Sequence, residues 1–417
     1  MRSTQAPPAR GFVLAPKKWP HIFTGAGAMK RERVRVGLAG WASPPAGAAG
    51  AGAAWQVGIA RHGALRTLTD PIPAPMTTAT TLAAPTDTGA LGVYQLKRLW
   101  SRALAARAGQ QSRDLAELSL DRLVTDALGL GLEQVQQHLL RGAPSFEEFE
   151  RWIVATTGGV DPEQVARINA AVTGGEYPEA VRRRLAAIDA LPPVLTAADL
   201  AHWHEHGYVI VSDAVSEEMR AAAERAIWEH LGARPDEPDS WYVPNDHGIM
   251  VQFFQHPAFT ANRRSPRIHK AFAQLWGTAD LWVSADRVGF NVPERPGWMF
   301  RGPHMHWDVS LAQPIPFGTQ GILYLTDTPP EQGAFTCVPG FQRRIDAWLE
   351  SLPADADPRR EDLHALGSKP IAGRAGDLII WDHKLPHGSR PNRGTRPRIV
   401  QYLNMYPTRV AWRDVWR

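Results

Sequence analysis

Residues 301–311 read Arg-Gly-Pro-His304-Met-His306-Trp-Asp308-Val-Ser-Leu. Imidazole and carboxylate side chains at alternate positions are ligand types for a transition metal. The alternation predicts a β-strand in which His304, His306 and Asp308 share one face, while Met305 and Trp307 take the other. A His-x-Asp pair joined by one distant His makes the two-His-one-carboxylate set, which holds Fe(II) and keeps three positions open. The distant His is expected from residues 376–389, where His387 is followed by Gly388 and Ser389. Arg398 stands eleven residues beyond His387, in a strand predicted over 398–406. His383 lies four before His387 and competes as a ligand. A zinc hydrolase built on His304, His306 and Asp308 would use the same stretch, but it gives no part to the His387–Arg398 interval.

His-x-Asp, about eighty residues, His-Gly-Ser, then Arg at eleven is a specific pattern, and it resembles the phytanoyl-CoA dioxygenase family of Fe(II)/2-oxoglutarate oxygenases. The resemblance extends over residues 195–407. It includes His206-Gly-Tyr-Val-Ile-Val211 as an opening strand, Gly333-Ala-Phe-Thr-Cys-Val-Pro-Gly340 as a mid-barrel turn, and Gly376-Asp-Leu-Ile-Ile380 as the strand before the second His.

The resemblance implies an α+β chain with a double-stranded β-helix (jelly-roll, cupin-like) core and flanking helices. It implies Fe(II) on His306, Asp308 and His387, with 2-oxoglutarate and O2 in the open positions. It also implies a cation for the far carboxylate of 2-oxoglutarate. Arg398 is chosen by the family's interval, because parity along the strand leaves Arg396 and Arg393 open. Ser389 would assist it, and Tyr324 is a further co-substrate candidate. His304, Asn291 and Arg287 are candidate substrate contacts. Related halogenases carry Gly or Ala at the carboxylate position, so Asp308 favours hydroxylation of a C–H bond, or another oxidation such as desaturation. The family's turn often reads Pro-Gly-Ser-His. Here it is Pro339-Gly-Phe-Gln342, so an acyl-CoA substrate is not assumed and a small metabolic or natural-product intermediate is expected. The competing reading is a non-catalytic small-molecule-binding protein on the same barrel.

Composition sets the background. The chain has 417 residues, 44% of them hydrophobic, enough for a sizeable core. No run approaches the ~18 apolar residues of a membrane helix. One cysteine, Cys337, excludes an internal disulfide and suits a reducing cytoplasm. The net charge of +4 is unevenly placed: residues 1–75 hold ten Lys/Arg against two Asp/Glu, so the remainder is net acidic. Nucleic-acid binding is therefore not expected of the folded part.

Residues 1–89 are Ala/Gly/Pro-rich and expected to be disordered, with Met76 an alternative start. Residues 90–191 form an all-α extension, with apolar residues three and four apart (Leu96, Leu99, Trp100, Leu104) and a capping box at Ser145–Glu148. The barrel domain takes residues 195–417. It opens with a helix capped at Thr196, followed by strands at 208–211, 249–254, 281–292 and 320–326 and a helix at 345–352. Arg263, Arg264, Arg267 and Lys270 are expected on a solvated helix face.

Overall fold

The computed structural model describes residues 81–110, 115–411, 413 and 415–417. Met76 and the expected disorder of residues 1–80 lie outside these. Residues 81–95 run as turns and irregular chain, held where the Glu150 carboxylate accepts the Ala90 and Leu91 N–H groups, each at 2.9 Å.

Six helices come first: α1 (Leu96–Arg107), α2 (Leu115–Ala127), α3 (Leu132–Gly142), α4 (Phe146–Thr157), α5 (Pro162–Thr173) and α6 (Glu179–Asp189). Their limits follow local chemistry. Ser145 and Glu148 exchange the reciprocal capping bonds that start α4, and Asp161 with Pro162 starts α5. There follow α7 (Ala197–His206), β1 (Tyr208–Val211), α8 (Glu217–Leu231), β2 (Met250–Val251), α9 (Pro257–Arg263) and α10 (Pro266–Trp276). The rest of the chain is β3 (Leu281–Val283), β4 (Val288–Asn291), β5 (Thr319–Tyr324), β6 (Thr336–Cys337), α11 (Ile345–Ser351), β7 (Lys369–Pro370), β8 (Leu378–Asp382), β9 (His387–Gly388), β10 (Arg398–Tyr402) and β11 (Met405–Pro407). Among the described residues no helix is long and apolar enough to cross a membrane.

The paired strands form antiparallel sheets. The largest runs β1-β8-β5-β10-β4-β2; smaller ones run β7-β6-β9 and β11-β3. The large sheet is buried on both faces, and the two-residue period sorts its side chains. Leu378, Ile380, Leu323 and Ile399 enter one core with α7–α10, including Phe259 and Phe272. Ile379, Trp381, Ile322, Tyr324 and Val400 enter the other, with Trp307, Phe335, Cys337 and Phe341. The second core is the one that carries the site. At Gly321 a Cβ would lie 2.4 Å from the Leu403 carbonyl oxygen, so only glycine permits that approach.

Several expected strands are shorter than their sequence pattern. The 281–292 run breaks into β3 and β4, and the 398–406 run into β10 and β11, at one shared level. Ser284 N–H donates to the Asn404 carbonyl, and Asn404 N–H donates to Ser284 Oγ. This polar knot lets both strands leave the large sheet and pair again with each other. In 249–254 only β2 is paired. The stretch 301–311 is not a strand: only His306 bridges, to His387. Pro303 offers no N–H, and Gly302 turns the chain at φ +96°, which ends any ladder there.

The first helices form a third core, with Phe149, Ile153 and Leu123 against Trp282 of β3 and Tyr406 of β11. Buried polar groups tie it down. Asp126 accepts from Ala285 N–H and from the Tyr406 hydroxyl. Arg167 donates to Asp280 and to the Leu281 carbonyl, both at 2.9 Å, and lies 3.9 Å from the Trp282 ring centroid. Of the expected solvated basic face, Arg264 and Arg267 are exposed, whereas Arg263 is buried, donating to the Phe254 and Asp286 carbonyls, because α9 packs inward there.

Candidate metal centre

Two chain segments meet to make the site. His306 N–H donates to the His387 carbonyl at 2.8 Å, and His387 N–H returns the bond at 2.9 Å. Gly388 permits this contact, since a Cβ there would stand 2.6 Å from the His304 carbonyl oxygen. Without strand neighbours, residues 301–311 are held by other means. Arg359, in the segment between α11 and β7, donates to the Trp307 carbonyl at 2.8 Å and to the Val309 carbonyl at 2.5 Å. Trp307 Nε1 donates to Lys384 O, and Leu311 N–H to Arg417 O.

The result is a converging donor set. One ligand atom each from His306, Asp308 and His387 lies within 4.8 Å of the others. His306 Nε2 is 3.5 Å from Asp308 Oδ1, and His387 Nε2 is 3.5 Å from Asp308 Oδ2. Both rings are oriented from behind. His306 Nδ1 meets the His304 carbonyl at 2.6 Å, and His387 Nδ1 meets the Leu385 carbonyl at 3.1 Å. A carbonyl only accepts, so Nδ1 carries the proton in each ring and Nε2 presents its lone pair. Burial lowers the pKa of His387, against the pull of Asp308, and this favours the neutral imidazole a metal requires. Two neutral imidazoles and one carboxylate fit a divalent first-row ion.

The remaining candidates fall into place around this set. Arg398 is fully buried in β10, while Arg393 and Arg396 are exposed in the preceding turn. Its Nη1 donates to the Gly333 carbonyl at 2.9 Å and to Ser389 Oγ at 3.1 Å. Its Nε and Nη2 make no hydrogen bond of ordinary geometry among the described residues, and the Tyr402 phenol stands close to the guanidinium. Burial raises the pKa of that phenol, and the charge and side-chain contact of Arg398 oppose the rise. Asn291 sits directly across from Arg398 in the β4–β10 register and donates to Arg390 O.

Tyr324 is a core residue. Its hydroxyl donates to Ile371 O and accepts Phe335 N–H, and burial pushes its pKa upward. Arg287 pairs with Glu133 of α3 at 2.5 Å and with Asp286, which directs it to the helical extension. His304 is exposed, edge-on to Phe300, and it serves His306 through its carbonyl. His383 is fixed by Nε2 on the Pro316 carbonyl at 2.7 Å. Two residues had not been expected here. One is Arg359. The other is Gln320 of β5, whose Nε2 donates to Asp308 Oδ2 at 2.6 Å.

Comparison with known proteins follows this geometry. Residues 203–400 match the family described as phytanoyl-CoA dioxygenase (PhyH). A Dictyostelium discoideum protein carrying the phytanoyl-CoA dioxygenase name is 21% identical, over 49% of this chain and 74% of its own length. Ectoine dioxygenase of Bordetella parapertussis is 23% identical, over 50% of this chain and 74% of its own. Among solved structures, EctD from S. alaskensis in its apoform overlaps at a TM-score of 0.38, with 19% identity over 52% of this chain and 82% of that one.

Proposed function

We infer that the chain belongs to the phytanoyl-CoA dioxygenase family, whose model residues 203–400 match. From that premise we propose that it is an Fe(II)- and 2-oxoglutarate-dependent dioxygenase that hydroxylates an unactivated C–H bond of a small organic molecule. His306, Asp308 and His387 would hold the iron, and Arg398 with Ser389 the far carboxylate of 2-oxoglutarate. The sheets on either side of the second core are read as the walls of a double-stranded β-helix.

One observation carries the reading. A fully buried guanidinium, with the Tyr402 phenol beside it and no carboxylate pairing with it among the described residues, is joined through Ser389 to the segment that presents His387. A buried cation without an anion is costly, and its planar fork matches a carboxylate. The family's co-substrate supplies a carboxylate of that kind.

Bound iron, with 2-oxoglutarate and O2, supplies the oxidation of the C–H bond. The protein's own groups orient it. The carbonyls of His304 and Leu385 keep both imidazoles in the ligating tautomer. Trp381 and Phe335 pack beside the His387 ring, with centroids 5.1 and 6.2 Å away, and keep water from that side. With Asp308 as a ligand, the position that a halide takes in related halogenases would be filled.

The test is oxygen-dependent release of succinate from 2-oxoglutarate by the iron-loaded protein, followed by a search for substrates that stimulate it. Release that needs both iron and O2 supports the reading. Hydrolytic activity with zinc, in the absence of 2-oxoglutarate, would overturn it.

A further inference from the structure

We infer that Gln320 is a positioning residue of the metal centre, one that fixes the orientation of the Asp308 carboxylate between the two imidazoles. This rests on the metal-centre reading of His306, Asp308 and His387.

The argument begins with strand parity. Gln320, Ile322 and Tyr324 alternate along β5 with Gly321 and Leu323. Ile322 and Tyr324 enter the core that carries the site, so Gln320 faces that side too. On this face it is a polar residue at the end of an apolar row. β5 lies between β8 and β10 in the large sheet, and Gln320 stands directly across from Trp381. A side chain on such a strand is held more firmly than the irregular segment 301–311 that supplies Asp308.

Its amide makes one hydrogen bond, from Nε2 to Asp308 Oδ2 at 2.6 Å. A carboxylate only accepts, so the amide nitrogen must face it and the amide oxygen must point elsewhere. That oxygen is buried and has no partner among the described residues. An unmet buried acceptor costs stability, which an apolar residue at 320 would avoid. The contact to Asp308 is what the glutamine provides in return.

The consequence is coordinative. Gln320 holds Oδ2, which faces His387 Nε2 at 3.5 Å, while Oδ1 faces His306 Nε2 at the same distance, so the amide sets how the carboxylate stands between the two imidazoles. Second partners of this kind commonly change metal affinity 10- to 100-fold when removed.

The experiment measures Mn(II) binding to the metal-free protein by the EPR signal of free Mn(II), without 2-oxoglutarate or substrate. Wild type is compared with Gln320→Met, which removes the amide, and Gln320→Asn, which keeps it but is one methylene too short. Both variants are expected to bind Mn(II) about 10- to 100-fold more weakly, with an unchanged metal-free melting temperature. Variants that bind Mn(II) as wild type does overturn the inference alone. So does weaker binding accompanied by a matching fall in the metal-free melting temperature of both variants, because Gln320 would then be part of the fold. A wild-type protein that binds no Mn(II) overturns the proposed function, and this inference with it.

Discussion

At the scale of single residues, the account depends on a few groups gathered at the candidate metal centre. Asp308 supplies the only carboxylate of the converging set, so Asp308→Ala is expected to abolish iron-dependent turnover and to weaken metal binding by more than the about 10- to 100-fold that loss of a ligand's outer partner costs. Metal titration by calorimetry checks this, and turnover retained in the variant contradicts it. Arg398→Met keeps the volume and removes the charge. Hydrogen bonds to charged groups contribute ~1.5–3 kcal/mol, so affinity for 2-oxoglutarate should fall about 10- to 100-fold while Mn(II) binding stays within a factor of two. The convergence of His306, Asp308 and His387 was legible in the sequence because their types and intervals are a linear signal. Strand parity left Arg396 beside Arg398 and only the family's interval chose between them; in three dimensions one is exposed and the other fully buried. Gln320 was missed, although its parity with Ile322 and Tyr324 marked a lone polar side chain on an apolar face. Arg359 carried no such sign, since its bonds reach about fifty residues back along the chain to Trp307 and Val309.

At the scale of elements, polar residues decide where strands stop. The apolar runs at 281–292 and 398–406 each promised one strand, and the Ser284–Asn404 exchange divides both. Hydrophobic pattern alone does not report a bond between residues 120 apart. The helices were read more closely, because caps are local: Ser145, Asp161 and Thr196 start helices as expected. The end of β8 offers a test of electrostatics. Burial pushes the Asp382 carboxyl up to about 6, while the N–H and charge of Lys384 oppose the rise. The folded state therefore holds this proton more tightly than the unfolded chain. The stability it contributes is complete below the ordinary aspartate pKa and is lost as pH rises through about 6. Asp382→Asn keeps an acceptor for Lys384 N–H. It should be more stable than wild type by roughly 1–3 kcal/mol above pH 6, with the gap closing toward pH 4. Urea denaturation across that range checks the sign.

At the scale of the molecule, the helical extension and the sheets share a core. Trp282 and Tyr406 belong to the strands β3 and β11, yet they are buried among helix residues such as Phe149 and Leu123. The composition of residues 90–191 announced helices, but no linear pattern marks Asp126 meeting Tyr406 across 280 residues. Tyr406→Phe leaves the buried Asp126 with one donor fewer and should cost ~1–3 kcal/mol. Because this contact spans helices and sheet, unfolding should remain a single transition shifted to lower denaturant. A separate early transition for the helices would show that the two parts fold independently.

The central claim is that iron and 2-oxoglutarate meet on His306, Asp308 and His387. Its most direct test is anaerobic addition of Fe(II) and 2-oxoglutarate to the purified metal-free protein, followed by visible absorption. The account predicts a weak metal-to-ligand charge-transfer band that is absent in Asp308→Ala. A well-folded wild-type protein that forms no band would contradict it.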